Sequence, residues 1–460
     1  MKQFVHTNNH FENPEIRSSG KLSLIRFLFR YPIFLLAFGP PIFRPGAGID
    51  ATKGVIDFWA FLQVGWIGFI TLRALMRLAS AHTILLPKQT RSILRLFFIL
   101  GLLFLASAEY SPSRSVSAAY SLLYFLTVIC VVEFVVDTYK NPPDWMQCLI
   151  HLRMILFLLY ILVIFTIPFM PEIVMGVTMG GETWFGGGSV APVNVMCPII
   201  AVISAYTFLF SLEPRRRSAF FFAVGAGGTL LGHSRGSYLA LLVALALIGI
   251  IWAGSDRRSS YLFIASSFAS VLLGGAMLAA GGGGRIWSYF NKGQDIQGIE
   301  SASGRTDIWK FVVNYCMAHP LGMGYVAGFR KVFKEYFALG LQLDVSRIGN
   351  AHNSFIDVLA DAGWPALAVY LFVLIKIVAL GWRYARRRVI FSTASERLTN
   401  HALRCTLVLL VLCFASGLDT ADFSVPLRSI FYYQNIFVAI ILGITARSIA
   451  ASRAQRISSP

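Results

Sequence analysis

The chain has 460 residues, 56% of them hydrophobic and only 13% charged, with a mean hydropathy of +0.66 and a formal net charge of +18. This balance excludes an ordinary soluble domain. Lipid accepts apolar side chains outward and demands that backbone groups be bonded within helices, so the composition predicts an all-α, polytopic helical bundle. Nucleic-acid binding is not expected from the positive charge, because arginine clusters beside apolar spans are the ordinary cytoplasmic anchor signal.

In chain order, apolar runs near the length that crosses a bilayer, roughly 20 residues, fall at 24–43, 54–72, 93–108, 116–136, 147–169, 190–212, 218–231, 236–254, 260–280, 354–381, 401–418 and 430–449, giving about 12 spans. The first carries Arg26, Arg30 and three prolines, and the seventh is short and glycine-rich, with Gly225, Gly227 and Gly228. The connecting segments alternate in charge. One set is rich in arginine and lysine, including Arg73, Arg77, Arg153, Arg215 to Arg217, Arg383 and Arg386 to Arg388; the other holds little more than Arg44, Lys53, Arg114, Arg235 and Arg428. The positive-inside rule then places both termini in the cytoplasm and segment 281–353 outside. That segment is basic as well, but long loops translocate largely regardless of charge. The expected organisation is a single integral membrane domain: helices 1 to 9 over 1–280, an external loop over 281–353, and helices 10 to 12 over 354–460. No cleavable signal pattern is present, so the first run is expected to stay in the membrane.

The external loop opens on a flexible AAGGGGR stretch. A helix is expected at Asp307 to His319, where Ile308, Phe311, Val312, Tyr315 and Cys316 have helical spacing, with Thr306 as its cap and Pro320 as its stop. Ala327 to Leu339 is a second amphipathic stretch, suited to lie on the membrane surface, so the loop reads as a helical lid. Cys130, Cys148, Cys197, Cys405 and Cys413 fall in or beside apolar runs, leaving Cys316 without a loop partner, and no structural disulfide is expected. No zinc-type spacing and no GxxxxGK[ST] loop exists, so neither a metal nor another cofactor is called for and ATP is not the energy source.

Three motifs lie on the face poor in cations: GHSRGSY at Gly232 to Tyr238, GRTDIW at Gly304 to Trp309, and AHNSF at Ala351 to Phe355. Arg235 sits between two apolar runs, where an unpaired charge costs a few kcal/mol. Alone it also fits a snorkelling arginine. The Ser234 and Ser237 hydroxyls flank it, however, and a helix N-terminus begins at Gly236, which together suit a phosphate. Arg305 has the same setting before a helix, and two guanidinium groups can neutralise a diphosphate whose charge grows as it leaves. His352 precedes a helix opened by Asn353 and Ser354, and its ordinary pKa lets it accept a proton near neutrality. His233 competes for that role and His319 is a third candidate; Asp357, Asp361, Asp419 and Asp422 are further carboxylates ranked below His352.

These residues resemble the O-antigen ligase and Wzy-type polysaccharide polymerase superfamily over roughly 180–380. SRGSYLALL at 234–242 is similar to its Ser-Arg-Gly motif, GRTDIW to its loop Gly-Arg element, HPLGMGY at 319–325 to its Pro-x-Gly-x-Gly turn and HNSFIDVLADAGWPAL at 352–367 to its His-Asn stretch. PVNVM at 192–196 matches the Pro-Asn element less well, since Val193 is inserted before Asn194. The resemblance implies a metal-independent GT-C-type glycosyltransferase of the bacterial inner membrane that works on the periplasmic face. Its donor would be a glycan on undecaprenyl diphosphate. Its acceptor would be either lipid A core sugar (a ligase) or a growing glycan (a polymerase), with polysaccharide-assembly proteins as further partners. Arg235 and Arg305, with Ser234 and Asn353, would bind the diphosphate, His352 would serve as base, and His233 and Asn194 are secondary candidates. A flippase or transporter of the same lipid-linked glycan is the alternative of another class.

Overall fold

The computed structural model describes residues 23–38, 58–80, 86–169, 175–177, 183–185, 193–232, 234–254, 305–329, 331–332, 353–386, 393–418 and 429–458. Its helices are α1 (Leu24–Arg30), α2 (Phe58–Ala79), α3 (Lys88–Ser107), α4 (Arg114–Lys140), α5 (Trp145–Thr166), α6 (Val193–Leu209), α7 (Arg215–Leu231), α8 (Arg235–Ala253), α9 (Arg305–Ala318), α10 (Ser354–Ala385), α11 (Ala394–Gly417) and α12 (Ser429–Ser458). Among the described residues, seven helical segments are long and apolar enough to cross a membrane, at Lys88–Tyr110, Arg114–Lys140, Trp145–Thr166, Gly236–Ala253, Ser354–Ala385, Ala394–Gly417 and Phe431–Ser452, and Val193–Leu209 is a shorter apolar helix. The protein is thus a polytopic helical membrane protein. The expected span at 260–280 lies outside the described residues. Between α5 and α6, Met175–Val177 pairs antiparallel with Thr183–Phe185 in a short ribbon that hydropathy alone left unassigned.

The first expected span is not one helix. α1 stops after seven residues and the chain continues as a 3-10 segment, Pro32–Phe38. Pro32 has no N–H to donate and pushes Tyr31 out of helical backbone geometry, to φ −120 and ψ 79. The carbonyls released at this break are taken by arginines of α2: Arg73 donates to Phe29 O, and Arg77 Nη1 to Arg30 O at 2.6 Å. Arg77 also bridges Glu133 at 2.7 Å and Asp137 at 3.0 Å on α4.

Two glycines of the seventh span, Gly225 and Gly228, serve close packing. A Cβ at Gly225 would lie 2.5 Å from Ala201 N, and one at Gly228 2.5 Å from Cys197 Sγ, whereas nothing comes within 4 Å of one at Gly227. Without a hydrophobic effect between helices in lipid, such small residues let backbones approach and gain dispersion contacts. Gly225→Ala should therefore cost about 1–3 kcal/mol through overpacking against the α6 backbone. Gly227→Ala should be neutral or slightly stabilising; thermal unfolding of both variants in detergent separates the two.

The two ends of the bundle differ. At one end the fully buried Arg153 of α5 pairs with Glu213 in the α6–α7 turn at 2.7 Å and lies 4.3 Å over the Phe221 ring, while Arg404 of α11 donates to Ala385 O at 3.0 Å. Arg77, Arg215 to Arg217, Arg383 and Arg386 lie at the helix ends on that same side. The N-termini of α4, α6, α8 and α10 and the C-termini of α3 and α11 make up the opposite end.

The expected uninterrupted helix over 354–381 is broken inside α10. Ala362 (φ −140, ψ 17) and Gly363 (φ 74, ψ −171) leave helical geometry just before Pro365. In a bilayer-facing protein a break of this kind needs new hydrogen-bond partners. The 319–326 segment supplies them: Met323 N donates to Ala360 O at 2.7 Å, Gly324 N to Asp361 O at 3.0 Å, and Trp364 N to Pro320 O at 3.0 Å. The same segment reaches the α3–α4 turn, where Ser117 Oγ donates to Tyr325 O at 2.7 Å, Tyr325 N donates to Ser107 Oγ at 3.0 Å, and the Tyr325 ring stacks on Phe104.

α9 packs Ile308, Phe311, Val312 and Cys316 onto Leu359 and Ala360 of α10, as its spacing predicts. It begins at Arg305, so Thr306 is its second residue and cannot be the expected cap, which must precede the first helical residue. It ends at Ala318, ahead of Pro320. Burial, with the nearby Asp361 charge adding to it, pushes the Cys316 thiol from an ordinary value of 9 up to about 12. Only thiolate reacts readily. A water-soluble maleimide at pH 8 should therefore leave Cys316 unmodified in the folded protein and label it within minutes after unfolding, which intact-mass measurement detects.

Candidate active site

The GHSRGSY motif is built onto the start of α6. Pro198 lies inside α6 and has no N–H for the carbonyl four residues earlier, that of Asn194. Ser237 of α8 fills the gap: its Oγ donates to Asn194 O at 2.7 Å. Gly232 lets the Asn194 side chain come close, since a Cβ there would stand 2.3 Å from Asn194 Oδ1. Ser234 caps α8, its hydroxyl accepting from Ser237 N at 3.4 Å. Asn194 Oδ1 is buried without a hydrogen-bond partner among the described residues. Beside it is a small, partly open cavity of about 10 Å³, lined by Asn194, Val195, Pro198, Ala240, Leu412, Cys413 and Ser416.

The AHNSF motif reaches the same end from α10. Asn353 Oδ1 caps the helix, accepting from Phe355 N at 3.0 Å and Ile356 N at 3.2 Å, as the sequence predicts. Its Nδ2 donates to Leu418 O at 3.3 Å, tying the start of α10 to the end of α11. One turn back on α11, Ser416 and Cys413 line the cavity shared with Asn194. The last turn of α11 thereby links the N-termini of α6, α8 and α10. Helix N-termini carry partial positive charge, which makes their convergence suited to an anion.

Arg235 is the first residue of α8, one position earlier than expected, and Arg305 is the first residue of α9; their side chains lie outside the described part of the structure, as do His352, His233, Asp419, Asp422 and Arg428. His319 is described and exposed at the end of α9, stacked on Tyr315 at 4.3 Å. Asp361 is buried with its Oδ1 accepting from Val326 N at 2.9 Å, so this carboxylate holds the 319–326 segment against the α10 break. Asp357 is buried in the first turn of α10.

Two participants escaped sequence reasoning. Pro198 looked like one more residue of an apolar run, although a proline in a helix always frees the carbonyl four residues back, and that rule points to Asn194. Ser416 gave only a faint signal, a hydroxyl near the end of the run 401–418.

Comparison with curated proteins gives no match. Residues 218–371 match the family model described as O-antigen ligase, a stretch that runs from α7 through α8 and α9 into α10 and includes all three motifs. That match supports a glycosyltransferase-like enzyme with an O-antigen ligase- or polymerase-like function. Over residues 218–371 the chain is similar to the O-antigen ligase family.

Proposed function

We propose that this protein is a metal-independent glycosyltransferase of the GT-C type that moves a glycan from undecaprenyl diphosphate to an acceptor hydroxyl on the periplasmic side of the inner membrane. The observation that carries this reading is the meeting of three helix N-termini, one of them led by Arg235, at the bundle end opposite the arginine-rich one. Arg235 and Arg305 bind the diphosphate, and Ser234 completes the positive helix start. Asn353 holds the beginning of α10 so that His352 meets the acceptor, with His233 as the alternative base. The acceptor oxygen attacks the anomeric carbon, the bond from that carbon to the phosphate oxygen breaks with inversion, and the hydroxyl proton passes to His352. Negative charge that builds on the departing diphosphate is stabilised by the two arginines and by preoriented N–H groups. No ATP enters, because the sugar-diphosphate bond supplies the driving force.

Both termini are then cytoplasmic, and loop 281–353 covers the sugar. Purified protein given a defined lipid-linked glycan should transfer the glycan and release lipid diphosphate. Movement of the intact donor across a vesicle membrane without new bonds would instead favour transport. Adding lipid A core or a second lipid-linked glycan as acceptor decides between ligation and polymerisation.

A further inference from the structure

We infer that Ser237 is a positioning residue: it does not touch the substrate but sets Asn194 by replacing the hydrogen bond that Pro198 removes from α6. This rests on the proposed glycosyltransferase reading for its functional consequence, while the local bonding stands independently. In a regular helix the carbonyl of residue 194 would accept from the N–H of residue 198; proline has none, and its ring crowds the same carbonyl and tilts it outward. A released carbonyl inside a membrane bundle needs another donor. The hydroxyl of Ser237, almost fully buried, is that donor at 2.7 Å.

The consequence falls on the Asn194 carboxamide. Its main chain is held by Ser237, its side chain is pressed against Gly232, and its Oδ1 is buried without a partner among the described residues while the residue borders the cavity shared with Ser416. An acceptor atom without a donor among the described residues fits one brought by the substrate, and a sugar hydroxyl has the right chemistry. Asn194 therefore contacts the glycan, and Ser237, though it lies within two residues of Arg235, acts through Asn194 and not as a phosphate ligand. Two elements that are 43 residues apart in sequence, PVNVM and SRGS, thus form one device.

The test uses a compensating pair. Ser237→Ala should reduce transfer from a lipid-linked glycan about tenfold. Pro198→Ala restores an N–H opposite Asn194 O, so Pro198→Ala with Ser237→Ala should return transfer to within about threefold of the parent. Ser237→Ala added to Asn194→Ala should cause no further loss. A double Pro198→Ala, Ser237→Ala variant as impaired as Ser237→Ala alone would mean that the hydroxyl meets the substrate directly, and the inference falls. It falls equally if Ser237→Ala or Asn194→Ala transfers normally. Thermal midpoints in detergent follow the bonding without any assay of chemistry: Ser237→Ala lowers the midpoint and Pro198→Ala recovers it. If the parent itself transfers nothing, the proposed reaction fails, and an unrecovered midpoint would independently overturn the Pro198–Ser237 relation.

Discussion

Arg235→Ala and Arg305→Ala should each lower glycan transfer by about 10²–10³-fold, the cost of removing one preorganised donor from a charge that develops in the transition state. Both residues open a helix, α8 and α9, and a helix start already favours an anion. Loss of one therefore removes a charge and a two-pronged donor together. Lysine at either position keeps the charge and loses the planar fork, and it should recover only part of the rate. The measurement is single-turnover transfer from a defined lipid-linked glycan, with membrane insertion of each variant verified by its elution as a monodisperse protein in detergent. Normal product from both alanine variants would end the assignment of the diphosphate site.

Gly363→Ala should destabilise the protein by about 3 kcal/mol or more. Two independent effects coincide there: φ is +74, which strains any residue with a side chain, and an added Cβ would come within 1.9 Å of Pro320 O. That oxygen accepts from Trp364 N, so backing away from the clash breaks one of the bonds that seal the helix break. Once the 319–326 segment lifts, Met323 N and Gly324 N leave Ala360 O and Asp361 O, and α9 loses its seat. The expected readouts are a large drop in thermal midpoint and faster maleimide labelling of Cys316 at pH 8. A midpoint within a degree or two of the parent would show that the α10 break does not depend on this seal.

The pattern of cations reflects the energetics of the bilayer, which place charge residue by residue. Arg153, Arg215 to Arg217 and Arg404 do lie at one end. What the pattern concealed is that several of them are bonded partners and not only anchors. Arg73 and Arg77 close the carbonyls of an interrupted first span, and Arg153 is buried against Glu213. Hydropathy also ran unbroken through Gly363, because it counts apolar residues without asking where each backbone N–H goes. Asn353 was legible as a cap since capping is local, within three residues; its bond to Leu418, 65 residues away, was not.

The amino-acid sequence by itself determined the class of molecule, the amphipathic helix over the break and the three motifs, for these depend on composition, period and short-range chemistry. Only the tertiary structure decided that PLGMGY is a backbone seal for α10, that Asp361 holds that seal, and that Ser237 serves the carbonyl freed by Pro198. The reason is the same in each case: a helix break creates unpaired groups at a known place, but in a membrane their partners come from whichever segment packing brings near.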